Sequence, residues 1–182
     1  VELATGKIRW WRQTVANDAW NASCGTIGDN VNCPREDGPD LDFGAPPILT
    51  TLADGRDIIL AGQKSGMVFA LDPDDGGKIL WKQRAGMGGF NGGIHWGMAS
   101  DASTLYVGIA DTPGNKGAVG PRRPGIHAFD IATGKPHWSR IEPFTCVERK
   151  FECETAFSAP VTATDGIVFG GAHNGLLRAY ST

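Results

Sequence analysis

One stretch of this chain gathers the residues best suited to chemistry: Gly86-Met87-Gly88-Gly89-Phe90-Asn91-Gly92-Gly93-Ile94-His95-Trp96-Gly97-Met98-Ala99-Ser100-Asp101. Glycines let a backbone approach a ligand closely, and an indole among them suits stacking on a planar group. Trp96 therefore reads as a platform for a planar cofactor; the alternative is a Trp that packs one structural unit on the next. The four cysteines are the second candidate, in two local pairs, Cys24/Cys33 and Cys146/Cys153. Neither pair has Cys-x-x-Cys spacing or a histidine cluster, so a metal site is the poorer reading. Two short-range disulfides are expected, and with them an oxidising compartment, periplasmic or secreted.

These groups need elements to position them, and the sequence supplies a repeat. Gly125 to Trp138 reads Gly-Ile-His-Ala-Phe-Asp-Ile-Ala-Thr-Gly-Lys-Pro-His-Trp, and Gly66 to Trp81 follows the same pattern. The second half recurs at Leu3 to Trp10 and the first half at Gly175 to Ser181. Each copy is a short apolar strand, a tight turn at Gly6, Gly77 or Gly134, and a second strand. The second strand carries Trp10, Trp81 or Trp138 four residues after that glycine. A hairpin turn demands the positive φ that glycine adopts freely. Trp96 falls outside this register, which favours the platform reading.

Three similar units follow from the pattern, with strands expected at 43–51, 57–63, 67–72 and 78–84, then 93–100, 104–110, 125–131 and 135–141, then 157–163, 167–172 and 176–181. Four antiparallel strands recurring every ~50–60 residues with a register Trp are propeller blades. The expected fold class is all-β: a partial β-propeller over 1–182, of about three four-stranded antiparallel blades. The blades are 42–85, 86–141 and an incomplete 157–182, preceded by an orphan outer strand at 6–14 and a disulfide-bearing loop at 15–41. In an up-and-down blade the tight turns lie at one end. The insertions 15–41, 85–92, 112–124 and 142–156 all lie at the other, where binding residues concentrate.

Composition agrees. There are 26 glycines among 182 residues, about twice the usual ~7% share, which suits a chain of tight turns. No apolar i, i+3, i+4, i+7 pattern survives a full window. A net charge of −3 without a basic stripe argues against a nucleic-acid partner, and no apolar run reaches membrane-span length. The chain lacks an initiator Met and stops inside a repeat, so it is expected to be a piece of a larger protein. Its open edges are expected to meet the remaining blades or, failing those, to self-associate through 6–14 and 176–181.

The repeat Ala-Phe-Asp-x-x-Thr-Gly-Lys-x-x-Trp resembles the tryptophan-docking repeats of quinoprotein alcohol dehydrogenases, which carry pyrroloquinoline quinone (PQQ) in an eight-bladed propeller. Asp42 to Leu49, Gly62 to Gly66, Gly93 to Gly97, and the third unit from Ser158 to Ser181 resemble the polyvinyl alcohol dehydrogenase branch. The resemblance covers the whole chain but only about three blades of the eight.

It implies a PQQ-dependent dehydrogenase that oxidises a small or polymeric alcohol and passes electrons to an acceptor such as a cytochrome c. It matches Trp96 to the tryptophan under the quinone. It places Asp111 at a calcium-ligand position, though a solvated loop carboxylate would read the same. Where many members carry a Glu ligand stand Gln63 and Lys64, the latter able to pair with a quinone carboxylate. Glu154 falls near the family's catalytic Asp, as a base for the alcohol proton or as an ordinary exposed Glu beside a disulfide. The competing function is a cofactor-free propeller of the same repeat that presents its loop end to other proteins.

Overall fold

The computed structural model describes residues 1–25, 30–114, 116–143 and 154–182. Apart from a short 3-10 turn at Ala22–Cys24, its regular elements are eleven strands in three antiparallel sheets. The first sheet is β1 (Ile48–Thr51), β2 (Asp57–Gly62), β3 (Met67–Asp72) and β4 (Lys78–Arg84). The second is β5 (Met98–Ser100), β6 (Thr104–Ile109), β7 (Gly125–Asp130) and β8 (Pro136–Ile141). The third is β9 (Thr162–Thr164), β10 (Ile167–Gly171) and β11 (Leu177–Ser181). Each strand pairs with its sequence neighbour, and β5 lies beside both β1 and β9. These are three consecutive blades of a β-propeller with their first strands innermost.

Local chemistry makes the hairpins. Asp72 Oδ1 accepts the N–H groups of Asp74 and Asp75 at 2.9 and 3.0 Å. Asp130 Oδ1 does the same for Thr133 at 2.8 Å, and Gly77 and Gly134 follow at φ +68° and +70°. The register shifts once in both blades, between Ala70 and Leu71 and between Ala128 and Phe129. Ala70 therefore faces Trp81 and Ala128 faces Trp138, and a small residue opposite leaves each indole free to reach the next blade. Trp81 Nε1 donates to Ile131 O at 3.0 Å, and its ring covers Gly134, where a Cβ would lie 2.6 Å from the indole.

Blades stack because the middle sheet is apolar on both faces. Along β6 the side chains alternate: Leu105, Val107 and Ile109 join a core with Leu60, Val68 and Ile94 of the first interface. Tyr106, with Ile126 and Ala128, packs on Phe157, Val161 and Val168 of the third blade.

Residues 6–14, expected as an orphan outer strand, pair with no strand among the described residues. The segment is held by Trp10, whose Nε1 donates to Pro73 O at 3.0 Å and whose ring covers Gly77. Trp10 thus docks on the first blade as Trp81 docks on the second. The first strands of the blades are also shorter than 43–51, 93–100 and 157–163. Pro46, Pro47 and Pro160 offer no N–H for pairing, and the lead-in residues bond to the preceding blade instead. Ile94 N donates to Gln63 O at 3.3 Å and Phe157 N to Ile109 O at 3.1 Å.

Candidate functional site

Those lead-in segments build the site. In each blade a residue one or two positions past the second strand donates its N–H to the lead-in: Lys64 to Asp42, Ala110 to Gly93, His173 to Ala156, all at 3.0 Å. This bond fixes equivalent positions across blades. Gly44, His95 and Ser158 are one set, Ala45, Trp96 and Ala159 the next, and Ser65, Asp111 and Asn174 a third. His95 Nδ1 lies 3.2 Å from Ser158 Oγ, and a Cβ on Gly44 would sit 2.8 Å from His95 O. The first set therefore joins the three blades side by side, and the second set follows it by one residue in each.

Trp96 is the one aromatic member of its set. Its neighbours in the set are alanines, and it is 58% exposed, with the His95 ring at 4.9 Å and tilted 30°. It does not pack between blades as Trp81 does. His95 also borders a cleft of about 530 Å³ with Phe90, Asn91, Glu154 and His173. Burial lowers the His95 pKa below its ordinary value, the Lys64 cation adds to this, and Asp42 and Asp40 only partly oppose it. The imidazole is neutral at neutral pH. Glu154 was singled out from the sequence and His95 and His173 were passed over; only the folded cleft brings these three together.

Asp111, expected as a calcium ligand, meets donors of its own chain. It is fully buried at φ +43°, and its carboxylate accepts backbone N–H groups from Met87 (2.7 Å), Gly88 (2.9 Å), Gly93 (3.4 Å) and Arg123 (2.8 Å). Its carbonyl accepts Arg122 Nε at 2.7 Å. Calcium needs carboxylate lone pairs, and here backbone donors take them, so the site does not fit a cation. Among the described residues, the only group of three close metal-ligating side chains is Cys24, Cys33 and Asp37, and its cysteines are joined to each other.

Gln63 and Lys64, expected to face a cofactor, are spent within the chain. Gln63 is buried, donating to Thr14 Oγ1 at 2.7 Å and accepting from Ser65 Oγ at 2.6 Å. Lys64 Nζ meets Asp42 at 2.7 Å and Asp40 at 3.1 Å. Burial pulls its pKa down, but the hydrogen bonds to these two carboxylates outweigh that and leave it raised. Glu154 stands in the cleft with Oε2 on Arg122 Nη2 at 2.8 Å.

The disulfide Cys24–Cys33 is present as expected, with Cα atoms 4.8 Å apart. Cys146 and Cys153 lie outside the described residues. Among the described residues no helix is long and apolar enough to cross a membrane.

A partial propeller whose middle blade carries an exposed indole next to a cleft-lining imidazole is the class that fold and site define. The chain belongs to the PQQ_2 repeat family, described as outer membrane protein assembly factor BamB, whose model matches residues 64–182. Along its whole length it is similar to two curated relatives. It is 42% identical to a polyvinylalcohol dehydrogenase of Pseudomonas sp and 37% identical to one of Sphingopyxis sp. (strain 113P3). The chain spans 28% of the length of each, and the expected resemblance to that branch is borne out. Among solved structures, BamB from Moraxella catarrhalis aligns at 17% identity over 73% of this chain and 45% of its own, with a TM-score of 0.32. The computationally designed Ika8 protein aligns at 14% over 74% and 46%, with a TM-score of 0.29.

Proposed function

We propose that this chain is part of a PQQ-dependent dehydrogenase that oxidises a secondary or polymeric alcohol, and that it supplies the aromatic floor of the cofactor site. The observation that carries this is Trp96, an exposed indole at a position where both neighbouring blades have alanine. A docking Trp packs on the next blade as Trp81 does, whereas Trp96 stays open beside a neutral imidazole. When bound, the quinone accepts the two electrons released by the alcohol carbon. This chain's part is to stack the quinone on Trp96, wall the cleft with Phe90 and Asn91, and take the alcohol proton at Glu154 or His95.

Lys64 is already matched by Asp40 and Asp42 and the Asp111 carboxylate by backbone donors, so a quinone carboxylate or a calcium ion would be held by other groups of the whole protein. Further blades cover the arc's open faces or, in their absence, a second copy does. An acceptor such as a cytochrome c takes the electrons onward. The Cys24–Cys33 disulfide supports a periplasmic or secreted setting for this work. The second reading, a cofactor-free scaffold, draws on the assembly-factor description of the family and on the engagement of Gln63, Lys64 and Asp111 within the fold. Titrating PQQ into the 182-residue chain, followed by tryptophan quenching, separates the two. Saturable quenching that Trp96→Ala weakens about tenfold or more, with an unchanged melting temperature, is expected for a lost aromatic stack. Equal behaviour of variant and parent sinks the cofactor reading.

A further inference from the structure

Two groups bordering the cleft can take an alcohol proton, and their own partners separate them. Glu154 Oε2 is held by Arg122 Nη2 at 2.8 Å. Arg122 is itself fixed, because its Nε donates to the Asp111 carbonyl at 2.7 Å. Asp111 in turn is buried and tied by the backbone N–H groups of Met87, Gly88, Gly93 and Arg123. A carboxylate that took a proton here would forfeit a charge-assisted contact with a cation that has no freedom to follow it. His95 carries no such tie. Its Nδ1 lies 3.2 Å from the hydroxyl of Ser158, and among the described residues nothing bonds to its Nε2. Burial and the nearby Lys64 cation keep the ring unprotonated at neutral pH. Ser158 is buried, and its place is set from the middle blade, since Phe157 just before it donates its N–H to Ile109 O at 3.1 Å.

We propose that His95 Nε2 is the base that takes the alcohol proton, that Ser158 is its positioning residue, and that the Arg122–Glu154 pair walls the cleft without joining the chemistry. This rests on the alcohol-oxidising reading above and chooses between its two bases. Ser158 Oγ accepts the Nδ1–H, which fixes the tautomer with its lone pair on Nε2. The alcohol O–H proton passes to that lone pair and leaves an imidazolium. The carbinol hydrogen departs with its electron pair to the quinone oxidant as the C=O bond forms.

The test uses the 182-residue chain with 15N-labelled histidine and 13C-labelled glutamate, loaded with PQQ and titrated with a tertiary alcohol, which has no carbinol hydrogen to lose. His95→Gln and Glu154→Gln assign the resonances. At neutral pH the parent should show a protonated Nδ1 and a bare Nε2. The alcohol should move the Nε2 resonance saturably and leave the Glu154 carboxyl unmoved. Ser158→Ala should mix the two neutral tautomers and weaken the response about two- to tenfold, since only the form with a bare Nε2 binds. Ser158→Thr, which keeps the hydroxyl and guards against a folding defect, should restore both. A protonated Nε2 in the parent, an unchanged tautomer in Ser158→Ala, or a response at Glu154 instead overturns the assignment. Absence of PQQ quenching at Trp96 overturns the redox reading and the base with it, whereas quenching without an Nε2 response overturns the base alone.

Discussion

The two ends of the blades use the same side chain in opposite ways. At the tight-turn end, Asp72, Asp101 and Asp130 accept N–H groups from residues two or three positions along the chain. At the loop end, Asp18 reaches 22 and 23 residues ahead, and Asp111 reaches 24, 23 and 18 back and 12 ahead. A carboxylate that caps its own turn can be replaced by water, whereas one that gathers distant loops in a dry interior cannot. The first kind sets a hairpin, and the second sets the shape of a site. Gly86 shows the tightness of the second arrangement, since a Cβ there would lie 2.8 Å from both Asp111 oxygens.

Replacing Asp111 with Ala is therefore expected to have the largest effect. It strands several buried N–H donors at ~1–3 kcal/mol each, a loss of at least ~4 kcal/mol in chemical denaturation. Asp101→Ala, whose donors can turn to water, should cost about 1 kcal/mol. Equal costs would break the comparison.

Next come two turn glycines that differ only in what lies over them. Gly134 sits beneath Trp81, while Gly166, at φ +77°, has nothing within 4 Å of a built Cβ. Gly166→Ala should lose only the ~1–2 kcal/mol of a left-handed alanine. Gly134→Ala should lose that and also displace the indole, for ~2–4 kcal/mol in all, with a red-shifted tryptophan emission. A matching loss at both sites would mean that Trp81 does not rest on its glycine.

The smallest effect is a separation in pH. Buried His127 donates from Nε2 to Arg123 O at 2.8 Å and meets Ser139 Oγ at 2.9 Å through Nδ1. Burial drives its pKa below the ordinary 6.5. Between that depressed value and 6.5 the unfolded chain binds more protons, so stability falls as the pH drops below 6.5. His95 acts in the same sense. Asp101 is resisted by burial, but the hydrogen bonds from Tyr106, Ser103 and Thr104 prevail and depress its pKa below the ordinary 3.8. Its contribution is present above 3.8 and is lost as the pH falls through the folded value. Urea midpoints followed from pH 8 to 2.5 should show both limbs; His127→Gln should flatten the first and Asp101→Asn the second. One limb answering to both variants would show the two ends to be coupled.

What the sequence determined by itself was everything built from short-range rules. The turn glycines with their capping aspartates, the alternating apolar strands and the register of Trp81 and Trp138 were all legible, because turn geometry and strand pleat act over a few residues. The local Cys24/Cys33 pairing was legible for the same reason. Trp96 stood out because it broke that register. What only the tertiary structure decided was the partnership of groups far apart in the chain. Asp111 read as a calcium-ligand position or a solvated loop carboxylate and Lys64 as a partner for a quinone carboxylate, because sequence shows a residue's charge but not its neighbours. Packing three blades side by side filled Asp111 with backbone donors, matched Lys64 to two carboxylates and brought His95 to Ser158. In a folded interior the role of a charge is set by which groups burial forces against it, and those groups arrive from other blades.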